Sequence, residues 1–251
     1  MTLYVAVTSA AFSPAISFRP QFEAGTIASR DVVAPADFIV PDPATTDQKR
    51  AAAAARILPI YDRDSQAAAR LDEQIRQAFD RARAFLKSPA GRRVGSMEAL
   101  NDAFGLDIST EALQTLRDHK FSPEIEAELI AVETRLYRSG IVENKELLLQ
   151  NRDRGVTFRD TWGGGERPTM DLYSAIEYGA DLKSAVNADL VSSRLRGREA
   201  RDLAGFLSGL MKPNLTYNAA ETAQRRAAAA QRVESVFVKV PRGEVVVRRG
   251  D

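Results

Sequence analysis

Apolar residues recur at helical spacing through the middle of the chain. In "DSQAAARLDEQIRQAFDRARAFLK" they fall at Ala68, Leu71, Ile75, Ala78, Phe79, Ala82 and Leu86, one stripe of a 3.6-residue period. "SPEIEAELIAVETRLYRSG" puts Ile125, Leu129, Val132 and Leu136 on one face, with Ser122 as cap, Pro123 in the first turn and Gly140 as stop. Shorter helices fit "SMEALNDAFG" and "STEALQTLRD", and two more are predicted from Leu172 to Leu190 and from Arg198 to Met211, before Pro213. "GVTFRD" and "ERPTMDL" flank "TWGGG" and read as a β-hairpin near 156–172.

The two ends carry a different pattern, and they carry it twice. "DPATTDQKRAAAAARILPIY" from Asp42 faces "NAAETAQRRAAAAQRVESVF" from Asn218. At one constant offset Ala44 meets Ala220, Thr46 meets Thr222, Gln48 meets Gln224, Arg50 meets Arg226 and Arg56 meets Arg232. Ile57, Ile60 and Tyr61 meet Val233, Val236 and Phe237. Asp42 and Asn218 are good N-caps, Pro43 suits the first turn, and Glu221 stands where a capping box would place it. The alanine run favours helix and lets its axis approach a sheet closely. Strand-like runs precede each helix ("DFIVP", "NLTYN") and follow it ("ILPIYD", "VESVFVKV"). The second copy continues through the turn "PRGE" into "VVVRR", and the first is preceded by an extended "GTIASRDVVAP". Each copy is expected to be a β-α-β unit, and an internal duplication of 42–61 and 218–237 is the expectation.

The fold expected is α+β and predominantly helical: a central helical bundle, 64–212, inserted between two pseudo-symmetric β-α-β repeats. Residues 1–63 and 213–251 would form one small α/β unit, so both chain ends would emerge from the same place.

Composition narrows function mainly by exclusion. Apolar residues are 44% of the chain and charged residues 27%, with 35 Lys and Arg against 34 Asp and Glu interleaved in sign. That is globular, and without a basic stripe nucleic acid is not expected as a partner. No cysteine is present, which excludes disulfides and thiolate metal sites. No stretch is long and apolar enough for a membrane span. The opening "MTLYVAVTSAAFSPAISF" is a poor signal peptide without a basic start, and it reads as the tail of an upstream span.

"GTIASRDVVAPADFIVPDPATTDQKRAAAAARILPIYD" resembles the opening of the extracellular domain of seven-transmembrane HD phosphodiesterases. "KPNLTYNAAETAQRRAAAAQRVESVFVKVPRGEVVVRRGD" resembles its close, where Pro-Asn-Leu, a Thr, an Arg-Ala-rich helix and a Gly-Glu hairpin recur in that order. The resemblance covers roughly eighty residues at the two ends; through the helical middle only the order of elements matches. It implies a bacterial membrane protein in which this domain lies outside the cytoplasmic membrane, between one span and several more, ahead of a cytoplasmic HD domain that hydrolyses cyclic di-AMP. The expected function is an extracytoplasmic sensor or input domain without catalysis of its own. The alternative is a protein- or envelope-binding module, in which a homodimer is left open.

The HD chemistry itself cannot reside in this chain. Two-metal HD sites need several histidines and aspartates, and the chain has one histidine, His119, in "RDHK" at an expected helix C-terminus, where a cation suits the helix dipole. No Gly-x-Ser-x-Gly elbow appears. No cofactor and no metal are expected. Candidate ligand-binding residues are few. Trp162 and Arg167 lie in "TWGGGERP", where Glu, Arg and Pro follow the glycines in place of a phosphate-binding Lys-Ser/Thr. The ordinary reading is a hairpin tip; the functional one is an exposed aromatic on a ligand, partner or membrane surface. Arg50 and Arg226 form the matched pair on the two alanine helices. They read either as anchors to Asp37 or Asp62 or as a paired basic site for an anion. The expected partners are an unidentified small-molecule or envelope ligand and the flanking spans.

Overall fold

Ser122, Pro123 and Gly140 bound the longest well-capped helix of the middle segment as the sequence predicts, and the rest of the fold grows around it. The computed structural model describes residues 27–251 apart from 94–95, 193–194 and 196. The opening read as the tail of a span lies outside these residues. In chain order the elements are β1 (Val32–Val33), β2 (Phe38–Pro41), α1 (Pro43–Arg56), β3 (Ile60–Arg63), α2 (Ala67–Lys87), α3 (Pro89–Arg93), α4 (Met97–Phe104), α5 (Thr110–Asp118) and α6 (Pro123–Ser139). They continue with β4 (Ile141–Val142), α7 (Lys145–Leu149), β5 (Val156–Asp160), β6 (Glu166–Thr169), β7 (Ile176–Glu177), α8 (Ala180–Ser192), α9 (Arg198–Leu210), β8 (Leu215–Tyr217), α10 (Ala219–Gln231), β9 (Phe237–Val240) and β10 (Val245–Val247). The class is α+β.

The chain divides into two units. One holds the described residues up to Gln48 together with Glu234–Asp251; the other is Lys49–Val233.

In the first unit β1 pairs antiparallel with β10 and β2 antiparallel with β9. The turn through "PRGE" forms as expected, with Gly243 at φ +88 and the Glu244 N–H donated to the Pro241 carbonyl at 3.2 Å. A hairpin does not form there, a correction to the expected Gly-Glu hairpin: β9 and β10 each pair with a strand from the other end of the chain. Ala28 donates its N–H to the Asp251 carbonyl at 3.1 Å and accepts that of Gly250 at 2.9 Å. Lys239 pairs with Asp37 at 2.9 Å. That ammonium, with the Arg242 N–H, holds the Asp37 carboxyl below its ordinary range. Ile39, Phe237, Val238, Val33, Val245 and Val246 stay exposed on these ribbons.

In the second unit α2, α4, α5, α6, α8 and α9 share one core. Phe79, Phe104, Phe121 and Phe206 pack ring to ring at 5.6–6.0 Å in it, with Leu129, Val132, Val186 and Leu203. Full burial of such side chains is worth about 1.5–3 kcal/mol each. The cap predicted at Ser122 forms, and Ser96 and Ser109 cap α4 and α5 in the same way: each accepts the backbone N–H three residues on.

Beside this core lies a six-stranded mixed sheet in the order β6-β5-β3-β8-β4-β7. It packs on a smaller core of Tyr61, Val142, Leu148, Val156, Leu172, Ala175 and Leu215. The β5–β6 hairpin was expected; the sheet was not, because its long-range pairings, β3 with β5 and β8 and β4 with β7, join distant segments. The helix expected from Leu172 begins only at Ala180. Leu172 and Ala175 instead feed the smaller core, Ile176–Glu177 pairs with β4, and Gly179 turns the chain at φ +103.

The two matched segments adopt the same local form. Each is strand, helix, strand: β2-α1-β3 and β8-α10-β9. Asn218 caps α10 by accepting the Glu221 N–H at 2.8 Å, and Asp42 accepts the Thr45 N–H at 2.9 Å. The capping box does not close, however, since Glu221 turns its carboxylate to Arg225. The alanines of α1 also depart from expectation. They are exposed or half-buried, and Thr46 alone on that helix is buried.

Candidate functional site

The parallel pair β3 and β5 sets the register from which a site is built. Asp62 stands beside Arg159, Arg63 beside Asp160 and Tyr61 beside Phe158. β6 continues the row, with Arg167 beside Phe158 and Glu166 beside Arg159. Side chains alternate across a sheet, so this order sorts two groups onto opposite faces.

One face carries a charge network under α10. Arg159 grips Asp62 with two bonds at 2.7 and 3.0 Å, and Asn218 donates to the same carboxylate at 2.7 Å. Arg159 also approaches Glu221 at 3.5 Å, and Arg225 bridges Glu221 at 2.7 Å to Glu166 at 2.6 Å. Burial pushes the Asp62 carboxyl up, but the bonds from Arg159 and Asn218 outweigh it and the net shift is downward. The Glu166 carboxyl is also lowered, by Arg225. This network is closed: each cation faces a carboxylate. It anchors sheet to helix, the structural role considered for Arg226, but its neighbour Arg225 fills it.

The other face opens into a cleft of about 400 Å³. Its floor is tied down by Arg63 and Asn214. Arg63 donates to the Arg138 carbonyl at 2.7 Å and the Tyr137 carbonyl at 3.4 Å, capping the C-terminal end of α6, where a cation is favoured. Its guanidinium also lies 6.0 Å from the Phe158 ring centroid. Asn214, buried, donates to the Tyr137 carbonyl at 3.1 Å and accepts the Ile141 N–H at 2.8 Å. Asp160 accepts the Ser65 hydroxyl at 2.9 Å and the Trp162 N–H at 2.8 Å. Ser65 and Ala68 bring the start of α2 to the wall, and Gln66 gives that helix no side-chain cap. Arg70 pairs with Asp64, whose carboxyl is lowered chiefly by that guanidinium.

The glycine tip reaches this cleft at Gly165. Gly163 sits at φ +100, and a Cβ on Gly164 would lie 2.5 Å from Asp160 Oδ2. The tip is therefore shaped by the turn and by Asp160, not as a phosphate cradle. Trp162 is 59% exposed, and Arg70 lies 5.8 Å from its ring centroid.

Of the candidates read from sequence, Arg167 lines the cleft and Trp162 stands on the loop beside it. Arg50 and Arg226 do not line it. Arg50 is exposed on α1. Arg226 is half-buried on α10 with its Nε lacking a hydrogen-bond partner among the described residues. His119 is the C-cap residue of α5, and its Nε2 lies 3.2 Å from Glu199. Among the described residues no group of three or more His, Cys, Asp or Glu could hold a metal ion.

A separate polar feature lies between α2 and α6. Glu133 is fully buried, and neither of its carboxylate oxygens has a hydrogen-bond donor among the described residues. Burial, then the neighbouring Asp72 carboxylate, pushes its carboxyl up to about 9.

The model of the 7TM-HD extracellular family matches residues 23–251. The chain belongs to that family, the extracellular domain of seven-transmembrane HD proteins, and its place is accordingly outside the membrane as part of a membrane protein. Among the described residues no helix is long and apolar enough to cross a membrane. No curated protein and no solved structure matches the chain.

Proposed function

We propose that this chain is the input domain of a membrane-anchored HD phosphodiesterase, sensing outside the cytoplasmic membrane and regulating cyclic-di-AMP hydrolysis by an HD domain elsewhere in the protein. The chain itself performs no catalysis in this reading. The observation that carries it is the pairing of Ala28 with Asp251 and Gly250. Entry to and exit from the described chain are hydrogen-bonded to each other a few residues from the β1–β10 pair, so a change in that pair reaches two flanking spans together. A ligand drives such a change only in so far as it binds one arrangement better than the other.

In the same reading the two matched segments are pseudo-symmetric repeats. Support comes from their reciprocal pairing: β2, the first strand of one, pairs with β9, the second strand of the other, and β3 pairs with β8.

The test locks the ladder in the full-length protein. Val33 and Val245 are register partners and both are exposed, so Val33→Cys with Val245→Cys can be oxidised across β1 and β10. Oxidation is expected to change the rate of cyclic-di-AMP hydrolysis relative to the reduced form and to either single variant. A rate indifferent to the lock rejects the input reading.

A second reading, a protein- or envelope-binding module, is favoured by the exposed Ile39, Phe237 and Val238 on the β2–β9 ribbon. Two-stranded ribbons are marginal alone; the register sets Ile39 and Phe237 on one face and Val238 on the other, and exposed apolar side chains grouped on one face mark interaction surfaces. Concentration-dependent dimerisation, abolished by Phe237→Ser, is the outcome that reading requires.

A further inference from the structure

The cleft on the second unit holds two cations without a partner among the described residues. Around the sheet most arginines are committed: Arg63 to helix carbonyls, Arg70 to Asp64, Arg159 to Asp62 and Arg225 to Glu166. Arg138 and Arg167, the two beside Arg63 in the cleft lining, are not. Both line the cleft, one from α6 and one from β6, and neither guanidinium has a partner among the described residues. The acids of the cleft are already engaged, Asp64 by Arg70 and Asp160 Oδ1 by Ser65 and Trp162. Asp160 keeps its charge, but the lining sets three arginines, Arg63, Arg138 and Arg167, against two aspartates, and its balance is positive. Guanidinium groups favour planar, bidentate oxyanions. The lining also offers apolar surface from Phe158, Ala68 and Tyr137, and the volume lies within the range of small-molecule pockets.

We propose that this cleft binds a small organic anion, with its carboxylate or phosphate held by Arg138 and Arg167 and its apolar body against Phe158. This deepens the input-domain reading and rests on it, because the anion would be the sensed ligand. Arg63, Asn214 and Asp160 fix the floor and position the site. Gly165 lines the cleft, and a Cβ there would meet nothing within 4 Å.

The experiment is calorimetric titration of this chain at low salt with inorganic phosphate, succinate and phenyl phosphate. Saturable binding is expected, and phenyl phosphate is expected to bind more tightly than phosphate because its ring reaches Phe158. Preference for succinate or for phosphate distinguishes a carboxylate from a phosphate source. Arg138→Gln and Arg167→Gln are each expected to weaken binding roughly tenfold. Both side chains are exposed and unpaired, so the variants should melt as the parent does. Arg226→Gln, outside the cleft, is expected to leave affinity unchanged.

Absence of saturable binding by all three probes overturns the site, as does equal weakening by Arg226→Gln. Binding of an aspartate-rich peptide with none of the small anions overturns the small-ligand assignment. Amide shift mapping provides a second readout: probe-induced shifts confined to residues near Ser65, Phe158 and Arg167 support the site, and shifts centred elsewhere reject it. Failure here is distinct from failure of the input reading, which the Val33–Val245 lock tests in the full-length protein without any ligand.

Discussion

Thr46 and Thr222 make the same two hydrogen bonds, one in each unit. The Thr46 hydroxyl accepts the Val236 N–H at 2.9 Å and donates to the Asp42 carbonyl at 2.6 Å. The Thr222 hydroxyl accepts the Ile60 N–H at 3.0 Å and donates to the Asn218 carbonyl at 2.7 Å. Asp42 and Asn218 in turn donate their own N–H groups to the carbonyls of Val236 and Ile60, each at 2.8 Å. The hydroxyl thus joins the first turn of a helix to the strand next to its start. Thr222→Val keeps the shape and strands the Ile60 N–H in a buried place, so a loss of about 1–3 kcal/mol is expected in denaturant melts. Thr222→Ser, which keeps the hydroxyl, should cost less. Thr46→Val should speed amide exchange at Val236 in the smaller unit.

Glu133 gives stability a slope with pH. Its folded value near 9 lies above the ordinary 4.5, so folding takes up a proton between the two. The stability contributed by the neutral acid is complete below about pH 4.5 and is lost as pH rises toward 9, by up to about 1.4 kcal/mol per pH unit. Glu133→Gln fixes the neutral form. Its melting temperature should match the parent near pH 5 and exceed it near pH 8; equal slopes for the two proteins would refute this.

Asp62 contributes with the opposite sign. Its carboxyl is lowered on balance by Arg159 and Asn218, so its stabilisation is present above the ordinary carboxylate value and is lost as pH falls through the lower folded one. Asp62→Asn should cost about 1–3 kcal/mol near neutral pH, and the gap should narrow in acid. Chemical denaturation at the two extremes reads the difference.

Gly164 and Gly165 should respond differently to alanine. At Gly164 the new Cβ meets Asp160 at 2.5 Å, whereas at Gly165 nothing lies within 4 Å. Gly164→Ala is expected to displace Asp160 from Ser65 and Trp162 and cost about 1–3 kcal/mol. Trp162 is the sole tryptophan, so its emission reports the shift directly. Gly165→Ala should leave the emission as it is.

Local chemistry was the legible part of this protein. Ser96, Ser109, Ser122 and Asn218 declare their caps because the partner N–H lies three residues away. Gly140 ends α6 for an equally local reason, at φ +91. The six-stranded sheet was hidden because β4 and β7 are two residues each and carry no period. Their pairing depends on Gly140 and Asn214, residues far apart in sequence.

The cleft was legible only in fragments. Arg167 could be singled out beside the glycines, but Arg138 looks like any charge on the outer face of α6. Its relation to Arg167 exists only once β3 and β5 lie in parallel register. Alignment with Arg50 drew attention to Arg226, yet Arg225 makes the ion pairs. Position 225 shares a helical face with Glu221, one turn earlier. That spacing was the signal available in the sequence, and it was masked by the match between the two segments.

The bonds between Ala28 and the last two residues also make the domain a closed loop in the polymer sense. Bringing the ends of a long insertion together normally costs a host protein entropy that grows with loop length. Here the domain's own folding brings them together, so to a host it presents little more than a tight turn. Splicing residues 28–251 into a surface turn of an unrelated protein should therefore leave the host's stability nearly unchanged.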